Sequence, residues 1–185
     1  MTCASKPKEH LPGHDGTFDF CMSCPANTNC CSKVSDVGQV APPFLTDYEA
    51  RRIKLATGLA VGEFAVLSND TSKVESIKAK NGKCYFYDSE RGYCNVYQYR
   101  PFDCRIFPFD IIERKDESFV WIVYLDLCPE EFRVSIRYEP YFATVKGMFA
   151  DLKMTKENVR RFAKHGHELM KRNKYIVLEK VAFEY

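Results

Sequence analysis

Cys21, Cys24, Cys30 and Cys31 place four thiols within eleven residues, and no other feature constrains the chain as tightly. The two-residue spacer between Cys21 and Cys24 aims both sulfurs at a common point, as in zinc knuckles and iron–sulfur loops. Cys30 and Cys31 are adjacent, and neighbouring side chains of an extended segment point to opposite sides. They therefore serve two centres, or one ligates while the other enters the core. Cys84, Cys94 and Cys104 follow at ten-residue intervals, each at or near a strand end, and Cys128 comes later. These eight cysteines fit two four-coordinate sites by count, or one larger or bridged site. The ninth, Cys3, lies in a polar terminus and is set aside.

Compartment decides what clustered thiols do. The first twenty residues contain no apolar stretch of signal-peptide length, and no apolar run approaches the roughly 18 to 20 residues that span a bilayer. A cytoplasmic setting follows as the expectation, in which thiols stay reduced unless metal takes them. Buried structural thiols are the plainer alternative, but clustering favours metal, with an iron–sulfur cluster (a 4Fe-4S cluster fits the count) ahead of zinc. With 27 basic and 25 acidic side chains the net charge is +2, which gives no basis for binding nucleic acid or an acidic membrane.

The fold class expected is α+β, a small β-rich metal-binding region packed with several helices. Residues 1–20 read as a flexible terminus, and 21–185 as a single domain with a C-terminal helical extension. Thr46 and Glu49 form a capping-box pattern for a helix to about Thr57, with Gly58 as its left-handed cap. Val61 to Leu67 reads as strand or short helix, and Ser72 to Lys80 alternates with period two. Asn81-Gly82 signals a turn. Strands are expected at Cys84–Tyr87, Tyr93–Tyr97, Phe107–Arg114 and Ser118–Leu127, the last two as a hairpin. Pro129 with Glu130 and Glu131 starts a helix that Pro140 breaks or kinks. Thr155 caps another to Lys171, and Tyr175 to Phe183 reads as a closing strand. A metal held by both halves would tie the N-terminal cysteine loop to the sheet.

The segment from Tyr99 to Phe109 reads Tyr-Arg-Pro-Phe-Asp-Cys-Arg-Ile-Phe-Pro-Phe. Four thiolates around one divalent metal leave net negative charge, which Arg100 and Arg105 are placed to offset. Phe102, Phe107 and Phe109 would exclude water. His165 and His167 lie two apart on a helix and read as solvent-facing, and His10 and His14 fall in the terminus. The aromatic residues from Tyr85 to Tyr124 read as core and shielding rather than as a base-stacking platform.

In these motifs the chain resembles the CxxCxxCC (YkgJ-type) family of zinc- or iron-chelating cysteine-cluster proteins. The front cluster Cys21 to Cys31, the segment Tyr93-Cys94-Asn95-Val96-Tyr97, Arg100 to Pro108 and the late Cys128 carry the resemblance, and Cys84 matches the cysteine that begins the β-rich part. Five residues precede the paired cysteines where the family spacing is tighter, and Tyr93 stands where glycine is common. The resemblance implies metal chelation. Relation of some members to flagellin lysine methylases adds an enzymatic reading.

Three roles follow. The first is a non-catalytic metal or iron–sulfur protein that transfers electrons, stores metal or supports a client enzyme. The second is a zinc-stabilised interaction module, and the third a metal-dependent enzyme modifying a peptide or protein. No nucleotide loop, H-E-x-x-H or nucleophile elbow is present.

Overall fold

The computed structural model describes residues 30–33, 41–69, 73–125, 127, 138–152 and 154–183. Helix α1, Asp47–Thr57, starts at the capping box: the Thr46 side chain accepts from the Glu49 N–H, and the Glu49 carboxylate accepts from the Thr46 N–H. Gly58 ends it at φ 75°. The ambiguous stretch after it is half helix and half strand, α2 being Val61–Phe64 and β1 Ala65–Leu67. Strand β1 pairs antiparallel with β2, Val74–Ile77.

Two small hairpins follow. Asn81 and Gly82 take φ of 54° and 71°, which suits a tight turn with both central residues left-handed, and β3 (Ala79–Lys80) returns onto β4 (Lys83–Cys84). Strand β5 (Tyr87–Asp88) pairs with β6 (Tyr93–Cys94). The Asp88 carboxylate accepts from the Glu90 and Arg91 N–H groups in the turn between them. The expected strands Cys84–Tyr87 and Tyr93–Tyr97 are thus two-residue ladders. Turn-forming residues interrupt them, and Tyr97–Tyr99 is a 3-10 turn.

Helix α3, Phe102–Ile106, precedes the expected hairpin of β7 (Phe109–Glu113) and β8 (Phe119–Tyr124). Strand β9, Tyr175–Lys180, completes a three-stranded sheet in the order β7-β8-β9, pairing antiparallel with β8. Helix α4 runs Tyr138–Asp151, and α5, capped by the Thr155 side chain, runs Lys156–Arg172. Pro140 does not break α4. It stands in the first turn, where a missing N–H forfeits no helical hydrogen bond. The expected start at Pro129 lies outside the described residues, as does the 1–20 terminus.

Period-two alternation buries both faces of β8. Phe119, Trp121 and Val123 enter the main core with Phe149 of α4 and Phe162 of α5, while Val120, Ile122 and Tyr124 enter a smaller cluster. Each large apolar side chain buried this way contributes about 1.5–3 kcal/mol. A separate core of Leu45, Ile53, Phe64, Ile77, Phe86 and Val96 lies under α1 and the small hairpins. The architecture is helices with small antiparallel sheets. Among the described residues no helix is long and apolar enough to cross a membrane.

Candidate metal centre

The two hairpins deliver Cys84 and Cys94. The Asn81-Gly82 turn puts Cys84 opposite Ala79, and the Asp88 turn puts Cys94 opposite Tyr87. Asn95 N–H donates to the Phe86 carbonyl at 2.9 Å and extends the β5–β6 hairpin by one further pair. A 3-10 helix, Cys30–Lys33, packs on β4 and brings Cys31 to Cys84.

Cys104 is delivered by α3, which two carboxylates fix in place. Glu49 Oε1 accepts from the Phe102 N–H at 2.6 Å, satisfying a donor of the first turn, and Asp103 Oδ2 accepts from the Phe44 N–H at 2.7 Å. Cys31, Cys84, Cys94 and Cys104 thereby line one pocket of about 40 Å³, together with Ile77, Phe86, Tyr93, Val96, Tyr97, Arg100 and Pro101. That space suits an ion and is small for an organic ligand.

Cys84 is buried and the other three cysteines are half-buried. All four are thiols, as is Cys30, which does not line the pocket. The Cys31 and Cys84 thiols are hydrogen-bonded; that contact and burial push the Cys31 thiol far above the usual range, and Arg100 pulls the other way. Two thiolates so close repel each other in a poorly solvated site, so ionisation of the pair calls for a cation. As placed, no three His, Cys, Asp or Glu side chains among the described residues are arranged to hold a metal ion. The soft sulfur donor set nevertheless fits zinc or iron in kind and in number.

The two arginines of the expected site part company. Arg100 lines the pocket, its guanidinium carbon 4.0 Å from the Tyr97 ring centroid. Arg105 faces elsewhere: its Nη2 donates to Met148 Sδ at 3.1 Å, and its carbonyl accepts from the Tyr141 hydroxyl. Phe102 and Phe109 belong to the main core against α4 and α5, and Phe86, Tyr93 and Tyr97 are the aromatic residues at the pocket. Cys3, Cys21, Cys24, Cys128, His10 and His14 lie outside the described residues, as does the side chain of His167.

His165 is not solvent-facing. It is half-buried, its Nε2 hydrogen-bonds with the Pro42 carbonyl, and its ring tilts against Phe44. It stands within a buried acidic group that sequence reasoning missed. Burial raises the Asp103 carboxyl, with His165 acting against the rise. Asp110 on β7 is 5% exposed; burial, then the Asp103 charge, push its carboxyl up to about 7. Its Oδ1 accepts from the Ile111 N–H at 2.7 Å and its Oδ2 from the Tyr124 hydroxyl at 2.8 Å. Burial and Asp110 in turn raise the Tyr124 hydroxyl, which stays protonated and donates. The only early signal was an aspartate inside the apolar run from Phe107 to Ile112.

The family model CxxCxxCC, described as a putative zinc- or iron-chelating domain, matches residues 20–125, more than half of the chain. No curated protein and no solved structure matches it.

Proposed function

The chain belongs to the CxxCxxCC family, and from that premise we propose that Cys31, Cys84, Cys94 and Cys104 form a metal centre for one zinc or iron ion. The observation that carries the reading is the convergence of these four thiols on one pocket, from a 3-10 helix, two hairpins and α3. Thiols in hydrogen-bonding contact, as Cys31 and Cys84 are, suit two ligands of one tetrahedral ion with metal–sulfur bonds of about 2.3 Å. An iron–sulfur cluster interposes iron and sulfide and sets its cysteines farther apart. The mononuclear reading therefore stands first, and the cluster expected from the cysteine count stands second, carried by the further cysteines Cys21, Cys24, Cys30 and Cys128.

A bound ion would hold Cys31, Cys84, Cys94 and Cys104 as thiolates, their protons lost to solvent, and would link the 3-10 helix to the hairpins and to α3, coupling metal occupancy to folding. Bound iron would supply one-electron chemistry, whereas zinc would supply structure alone. We place the protein in the reducing cytoplasm in an accessory or redox role beside a protein partner.

Cobalt(II) titration of the reduced protein tests the assignment, because thiolate-to-cobalt absorption scales with the number of sulfur ligands. Single serine substitutions at Cys31, Cys84, Cys94 and Cys104 should each weaken the band and lower stability, while Cys3→Ser should do neither. An unchanged band and metal content in Cys104→Ser would sink the ligand assignment.

A further inference from the structure

We propose that Arg100 is the counter-charge of the four-thiol centre, held at the pocket wall by the Tyr97 ring; this rests on the metal reading of those cysteines. Among the described residues lining the pocket, Arg100 alone carries a formal charge, and Ile77, Phe86, Val96 and Pro101 form apolar wall. Four thiolates on a divalent ion carry two net negative charges, costly in a half-buried, apolar-walled site. Water solvates that charge poorly there, so a fixed cation counts for more than it would at the surface.

The guanidinium is suited to this position. Its Cζ lies 4.0 Å from the Tyr97 ring centroid, so the ring fixes it without neutralising it. A lysine could bring the charge but not the flat stacking surface. Arg105, in the same sequence motif, has its guanidinium on Met148 and serves as an internal control.

The role makes a charge-specific claim. Arg100 matters more as the loaded centre becomes more negative, so it stabilises ferrous iron over ferric iron and raises the potential of an iron-loaded centre. Zinc affinity, by chelator competition, and the ferric/ferrous potential of the iron-loaded protein should be measured on the full reduced chain and on Arg100→Gln, Arg100→Lys, Tyr97→Leu and Arg105→Gln. Arg100→Gln should bind zinc about 10- to 100-fold more weakly and show a lower potential. Arg100→Lys and Tyr97→Leu should lose less, and Arg105→Gln should stay near wild type in both readouts.

Wild-type zinc affinity and potential in Arg100→Gln would overturn the inference while leaving the metal site intact. Equal losses in Arg100→Lys and Arg100→Gln would overturn it too, by assigning the effect to shape rather than charge. Wild-type protein that binds neither zinc nor iron would refute the metal reading beneath it.

Discussion

Replacing Asp110 by asparagine should stabilise the fold above neutral pH and remove much of its pH dependence. Asp110 gives up its proton near pH 7 in the folded protein, against 3.8 for an ordinary aspartate, chiefly because burial disfavours the charge. Well below 3.8 the group is neutral folded and unfolded, and it costs nothing. As pH rises from there to 7 the unfolded chain ionises first, and stability falls. Above 7 both states are charged and the full penalty persists, on the order of 4 kcal/mol. Asparagine carries no charge to bury. Its Oδ1 can keep the Ile111 N–H and its Nδ2 can donate to the Tyr124 oxygen, with a misfit of about 1 kcal/mol set against the gain. The variant should thus gain roughly 2–3 kcal/mol over wild type at pH 8 and little at pH 4. Urea unfolding followed by the fluorescence of Trp121, the single and buried tryptophan, measures this across the range. A stability difference that stays constant from pH 4 to pH 8 would refute the reasoning.

Two other substitutions probe how α3 and α5 are held. In Gly166→Ala the new Cβ would meet Asp110 Oδ2 at 2.5 Å, so either the carboxylate leaves its Ile111 and Tyr124 partners or α5 shifts from β7, with a loss of about 1–3 kcal/mol in the same unfolding assay. Glu49→Ala removes the capping partner of Thr46 and leaves the Phe102 N–H without its acceptor, which should cost about 2–4 kcal/mol. Because Phe102 begins the helix that carries Cys104, zinc affinity by chelator competition should fall with it; affinity unchanged in a protein destabilised by that amount would detach the buried carboxylate from the site.

What was legible in the sequence is local. Thr46, Glu49 and Gly58 fix α1 through contacts within a few residues, and Asn81-Gly82 fixes a hairpin through its own backbone preference. The β7–β8 hairpin was equally plain, as two apolar runs flanking the polar stretch Glu113 to Glu117. The long-range arrangements were not. Nothing near Asp110 announces Tyr124 or Gly166, and His165 reads as a surface residue until the Pro42–Phe44 segment folds over it. The cysteine set was readable by spacing, but which cysteines share a pocket depends on how two hairpins, a 3-10 helix and α3 meet. Arg100 and Arg105 look equivalent in the motif; the short helix between them turns one to the pocket and the other to α4.

The iron, zinc and acid-labile sulfide content of protein purified without oxygen, with a visible spectrum of the same sample, tests the metal centre most directly. A mononuclear four-thiolate centre should give iron or zinc at about one ion per chain, without stoichiometric sulfide. Sulfide in amounts similar to iron would replace the mononuclear centre with a cluster, and protein that carries no metal and takes up none would contradict the central claim.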